Sequence, residues 1–147
     1  MSRPYPGGVE PLDVWRGFLR THARLVDVLG AELEQACDLP LTWYDVLVNL
    51  AHSPDGALRM NELAGAVLLS RSGLTRLVDR MQAAGYVERR ACPSDRRGAL
   101  AVLTPAGRDR LRAASPVHLK GITEHFLDKL DADDLAALAQ AWAKVGN

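Results

Sequence analysis

At 147 residues and 48% hydrophobic composition, the chain has the apolar material for one domain with a real core. No apolar run approaches the ~18 residues of a membrane span, and the opening MSRPYPGGVEP lacks the apolar segment of a signal peptide, so a cytoplasmic protein is expected. Two cysteines, Cys37 and Cys92, are too few for a disulfide framework, and the formal net charge of zero hides an asymmetry: residues 71–112 hold ten arginines against four acids.

Arginine forks onto phosphates and base edges, so such a block inside a neutral chain points toward an anionic polymer. The elements around it follow in order. Leu12, Trp15, Leu19, His22, Val26, Leu29 and Leu33 alternate steps of three and four, predicting a helix from about Pro11 to Ala36. At 1.5 Å per residue it would be roughly 39 Å long. After DLPL, Thr42 with Asp45 three places on reads as a capping-box start for a second helix carrying Val46, Leu47 and Leu50, and HSPDG then turns the chain. Asn61 is expected to cap NELAGAVL and Ser70 to cap RSGLTRLVDRMQAA, which Gly85 ends in the left-handed position. The tight connection between these two is a helix-turn-helix spacing. In the second, Leu74, Leu77, Val78 and Met81 form a buried stripe. Ser72, Thr75, Arg76, Asp79 and Arg80 then face outward, types that reach phosphates and base edges from a helix in a major groove.

YVERRA and ALAVLT suit strands, and CPSDRRG between them is too long for a two-residue hairpin and too polar for a core. An extended hairpin carrying Arg89, Arg90, Arg96 and Arg97 beside a helix-turn-helix is a wing, able to reach backbone and minor groove. Asp95 is expected to hold a neighbouring arginine by a charge-assisted hydrogen bond. Thr104 and Pro105 open a helix running through Leu111 toward Leu119, Ile122 and Phe126, with a kink expected at Pro116. Asp131 begins a last helix with Leu135, Leu138, Trp142 and Val145 on one stripe. Leu12, Leu19, Val26, Leu119, Phe126, Leu135 and Trp142 have no partner in a small winged helix, so a homodimer is expected.

The stretch NELAGAVLLSRSGLTRLVDRMQAAGYVERRACPSDRRGALAVLTPAG resembles the winged helix of the MarR (multiple antibiotic resistance regulator) family of bacterial transcription factors. The resemblance rests on the ELA opening, the S-R-S-G-L-T-R-L-V-D-R helix, the A-G-Y-V-E-R exit, the D-x-R wing element as Asp95 and Arg97, and L-T-P-A-G. It implies a mainly α fold with a small β-hairpin wing. Residues 1–147 would be one domain, with a winged helix-turn-helix over about 41–104 flanked by dimerisation helices over about 10–36 and 105–147. It also implies a homodimeric regulator, a repressor, on a pseudo-palindromic double-stranded operator. The DNA-contacting set expected is Ser70, Arg71, Ser72, Thr75, Arg76, Arg80, Arg90, Asp95, Arg96 and Arg97, with Arg97 entering the minor groove.

Small aromatic or phenolic effectors of such regulators bind where the dimer and DNA-binding regions meet, and Trp15, His22, Trp43, Tyr44 and His118 are candidate walls there. Each reads equally well as core. His22, His118 and His125 have no cysteine-rich or carboxylate cluster at ligand spacing, so no metal or other cofactor is expected. G-x-S-x-G, a phosphate-cradling loop and zinc-hydrolase histidine spacing are all missing, which argues against an enzyme. Two alternatives stay open: a redox-sensing regulator acting through Cys92, whose arginine-rich surroundings favour a thiolate, and a winged-helix protein-interaction module that no longer binds DNA.

Overall fold

The computed structural model describes residues 8–67 and 71–146, and only the backbone of Arg71 and Arg96. Along the chain run α1 (Pro11–Cys37), α2 (Leu41–His52), a 3₁₀ turn (Pro54–Gly56), β1 (Ala57–Arg59), α3 (Met60–Ala66) and α4 (Arg71–Ala83). Then follow β2 (Val87–Cys92), β3 (Asp95–Leu103), α5 (Pro105–His125), a second 3₁₀ turn (Leu127–Lys129) and α6 (Ala132–Val145). The mainly helical fold with a small antiparallel sheet agrees with the sequence reading.

The core forms where α2, α3, α4 and the sheet meet, around Leu47, Leu50, Leu63, Leu74, Val78, Met81 and Val87. From α1 only Leu33 is buried, and α6 contributes no buried residue at all. The long seam of α1 is therefore not core within one chain: Leu12 is 64% exposed and Trp15 56%. α1 instead lies along α5, which runs through Pro116 as one helix.

Helix starts differ from the expected caps in two places. Pro40 precedes α2 with no side-chain cap, and Thr42 lies one residue inside the helix, so its hydroxyl is past the orphan donors it was expected to satisfy. At α3 the N-cap is Arg59, whose backbone N–H donates to the Glu62 carboxylate at 3.1 Å, while Asn61 lies within the helix. The reason is β1. Its three residues pair with the end of β3, Ala57 with Val102 and Arg59 with Leu100, so the chain leaves a strand directly into α3 and the cap moves back to the strand's last residue. The expected cap of α4, Ser70, lies outside the described residues. The expected start at Thr104 holds, its Oγ1 accepting from the Gly107 N–H at 3.0 Å, and Asp131, which precedes α6, caps it by accepting from the Asp134 N–H at 2.9 Å. Gly85, at φ 83°, closes α4 as the sequence suggested.

The sheet order is β1-β3-β2, all antiparallel. Between β2 and β3 the connection is Pro93–Ser94 alone, shorter than the loop read from the sequence. Pairing runs regularly from Val87–Leu103 to Ala91–Ala99, then jumps to Cys92–Asp95. Arg96, Arg97 and Gly98 are thus extra residues bulging from the return strand, and the polar run that read as loop is an irregular strand.

Candidate nucleic-acid interface

α4 has two faces. Leu74, Leu77, Val78 and Met81 are at most 4% exposed, so they hold the helix against the core. Ser72, Thr75, Arg76, Asp79 and Arg80 lie on the exposed side, and Arg76 and Arg80 line an open groove with Gly73 and Asp79. Of the other expected contacts, Ser70 lies outside the described residues, as do the side chains of Arg71 and Arg96.

Asp79 is an acid on a face otherwise suited to phosphates, and a wing arginine neutralises it. Arg89 Nη1 lies 2.7 Å from Asp79 Oδ1, and Arg89 Nη2 donates to the Thr75 carbonyl at 3.0 Å. Arg89 therefore ties β2 to α4 and points at the helix. Arg90 extends from β2 with both Nε and Nη2 on Glu88 Oε2, at 3.0 and 2.9 Å. Residues two apart on a strand share a face, and a pair this exposed contributes little to stability, so phosphate can displace Glu88 at small cost.

At the wing, Asp95 holds a neighbouring arginine, and it does so through the main chain. Its Oδ1 accepts from the Arg97 backbone N–H at 2.9 Å, and no described guanidinium donates to it. The carboxylate thus shapes the bulge through the main chain, because a short side chain satisfies the N–H two residues on more readily than a long flexible arginine. Arg97 is exposed, and it lines with Thr75, Asn61 and Arg59 a groove of about 310 Å³ between the helix and the wing. Arg59 was invisible to the sequence reading. It sits at the end of β1 and donates to Ser94 Oγ at 2.7 Å, bracing the wing's turn, and only the β1–β3 pairing brings it there.

Cys92 ends β2 with Sγ 3.3 Å from Ser94 Oγ. That side-chain hydrogen bond, with the Ser94 backbone N–H and nearby Arg59 adding to it against burial, pulls the thiol below its ordinary range. The residue is nevertheless only 7% exposed.

The expected effector walls fall into three groups. Trp15 and His22 both flank Phe18, at ring-centroid distances of 5.8 and 6.2 Å, and Phe18 meets Trp142 of α6 at 5.4 Å. Trp43 instead stands edge-on to Tyr86 at 6.2 Å. Tyr44 and His118 pack together at 4.5 Å where α2 crosses α5, and the Tyr44 hydroxyl is 3.3 Å from Ser115 Oγ. Burial lowers the His118 pKa, with Asp45 partly opposing, and burial raises the Asp45 pKa. His118 Nδ1 is buried with no hydrogen-bond partner among the described residues. His125 is elsewhere again, paired with Glu32 of α1.

Comparison with known proteins draws these features together. A MarR family model matches residues 38–98, from the end of α1 to the wing. The MarR family transcriptional regulator AbsC from Streptomyces coelicolor superposes with a TM-score of 0.86 at 34% identity, over 99% of this chain and 96% of that one. A second MarR family transcriptional regulator from Streptomyces coelicolor, solved in complex with DNA, gives a TM-score of 0.84 at 35% identity, over 90% and 86%. The multiple antibiotic resistance protein MarR of Salmonella typhimurium is 28% identical over 108 residues, 74% of each chain.

Proposed function

The chain belongs to the MarR family of winged-helix, DNA-binding transcriptional regulators, and from that membership we propose that it is a homodimeric repressor released from a pseudo-palindromic operator by a small aromatic or phenolic effector. The observation that carries the DNA-binding part is the shared groove. Thr75 on α4 and Arg97 on the wing line one concavity, with Arg76 and Arg80 on the same outer side of the helix. A helix in the major groove and a wing in the adjacent minor groove would use those residues together. In this reading Asp95 keeps the bulge in one shape, and Arg89 removes the repulsion that Asp79 would otherwise present to phosphate. Contacts from Ser70, Arg71 and Arg96 are proposed with the rest of the set.

For the effector, the Tyr44–His118 contact is the best supported position. It lies between α2 and α5, and α1 packs on both. A histidine whose burial disfavours the imidazolium, with a buried nitrogen that has no hydrogen-bond partner among the described residues, suits a phenolic hydroxyl better than a strong anion. A ligand there shifts the DNA-binding equilibrium only by its differential affinity for the two arrangements of the recognition helices.

The test is binding of the purified chain to DNA from upstream of its own gene, followed by fluorescence anisotropy and repeated with a phenolic library. Saturable, sequence-selective binding weakened by a phenol supports the proposal. No binding to that DNA at any salt concentration would favour a protein-interaction module instead. A second reading, redox control, has the hydrogen-bonded Cys92 thiol in its favour. It predicts that peroxide abolishes DNA binding in the wild type and spares Cys92→Ser.

A further inference from the structure

Arg110 belongs to the basic block by count, yet it points away from the DNA-facing side of α4 and into the junction between three elements. Its Nη2 donates to the Cys37 carbonyl and, at 3.0 Å, to the Asp38 carbonyl. Those are the last carbonyls of α1, where the helix dipole is negative and Asp38 turns the chain at φ 50°. The same guanidinium lies 5.9 Å from the centroid of the Tyr86 ring. Tyr86 is the residue by which α4 exits into β2: its N–H donates to the Met81 carbonyl at 3.0 Å, and its own carbonyl accepts from Thr104 at 3.2 Å. Its ring meets Trp43 of α2 edge-on. One half-buried side chain on α5 thus touches the end of α1 and the exit of the recognition helix together.

We infer that Arg110 is a positioning residue that fixes the recognition helix relative to α1, and through it sets the operator half-site spacing the dimer accepts. The inference rests on the dimeric DNA-binding reading above. In a two-fold dimer built on α1, any rotation of α4 against α1 is applied twice, once per half-site. One inserted base pair moves a half-site by about 3.4 Å and turns it by about 34°. A junction fixed by hydrogen bonds and ring packing rejects such a change, and one free to swing tolerates it. Arginine suits the position because one nitrogen of its extended planar guanidinium holds both carbonyls while the rest of the group lies beside the Tyr86 ring, a span that the compact ammonium of lysine does not have.

The experiment measures binding of the full chain to operators whose half-sites are respaced by one base pair in either direction. Wild type should lose affinity by about tenfold or more on each respaced site, the cost of a register error. Arg110→Gln should lose less than about threefold while binding the best spacing more weakly. Arg110→Lys keeps the charge at the end of α1 and should fall between. If Arg110→Gln does not fold, the lysine variant carries the test, with its melting temperature measured alongside. A merely structural role would weaken all spacings equally, so variants that keep the wild-type spacing profile overturn the inference. Wild type that binds no spacing overturns the DNA-binding reading and this inference together, whereas an unchanged profile overturns this inference alone.

Discussion

Arg76 and Arg97 are both exposed arginines facing DNA in the proposed complex, but they should act differently. On the recognition helix Arg76 can reach base edges, so Arg76→Ala should reduce discrimination among operator variants by about 1–3 kcal/mol. Arg97 projects from a bulge shaped by Asp95, and Arg97→Ala should cost affinity most on operators with A·T-rich flanks, whose narrow minor groove attracts arginine. Binding of both variants across a panel of flanks and centres checks this, and Arg97→Ala matching wild type on every flank would leave the wing as an ordinary solvated hairpin. His118 gives a prediction of another kind. Its folded pKa lies below the ordinary value of about 6.5 because burial disfavours the imidazolium. Between the two values the unfolded chain binds more protons, so stability rises with pH through that window and is lost as pH falls through it. Asp45 works in the opposite sense at lower pH: burial raises its folded pKa, so its stabilisation is present in acid and is lost as pH rises through that raised value. His118→Phe, which keeps a ring against Tyr44, should therefore flatten the dependence of melting temperature on pH just below about 6.5 relative to wild type. Equal slopes for the two proteins in that range would refute it.

Elements, once formed, are joined by a few side chains and close approaches. The first turn of α5 sits against the exit of the recognition helix so tightly that a Cβ on Gly107 would lie 2.1 Å from the Tyr86 carbonyl oxygen and 2.9 Å from Leu103 Cδ1. The obstacle is main chain, which cannot move without shifting β2 or α5. Gly107→Ala should accordingly destabilise the fold by about 1–3 kcal/mol, in the range of overpacked cores, read as a lower denaturant midpoint at unchanged m-value. Arg89 joins β2 to α4 through Asp79 and Thr75, and Arg59 joins β1 to the wing turn through Ser94. Four arginines that the charge pattern assigned to one basic block, Arg89, Arg90, Arg110 and Arg112, thus have protein partners, and of these Arg89 and Arg110 turn toward other elements of the fold. Charge counting registers that arginines are concentrated and is blind to which of them point inward, because that depends on strand pairing and helix crossing.

For the whole molecule, the exposed apolar surface is the dominant feature. Leu12, Leu19, Val26, Leu119, Leu135 and Trp142 are all between 37% and 64% exposed, and α6 buries none of its residues within one chain. Removing that surface from water would be worth roughly 25 cal/mol per Å², which favours a second copy. Sedimentation at micromolar concentration should give a dimer, and Trp142→Glu should shift it toward monomer; a wild-type species of 16.0 kDa alone would refute the expectation. The sequence by itself determined the helices and their faces, since a 3.6-residue apolar period is a local property that burial preserves: the stripe Leu74, Leu77, Val78 and Met81 is as buried as its spacing required. It also determined the family, through motifs contiguous in the chain. The tertiary structure alone decided the rest. β1 is three residues long and exists only because β3 lies beside it, and with it came Arg59, the shifted cap of α3 and the two-residue turn of the wing. The separation of Trp43, Tyr44 and His118 from Trp15 and His22 is likewise set by how α1, α2 and α5 cross. Contacts between residues 70 or more positions apart, such as Arg110 with Asp38 or Tyr44 with Ser115, leave no periodicity to read, because their geometry is fixed by packing.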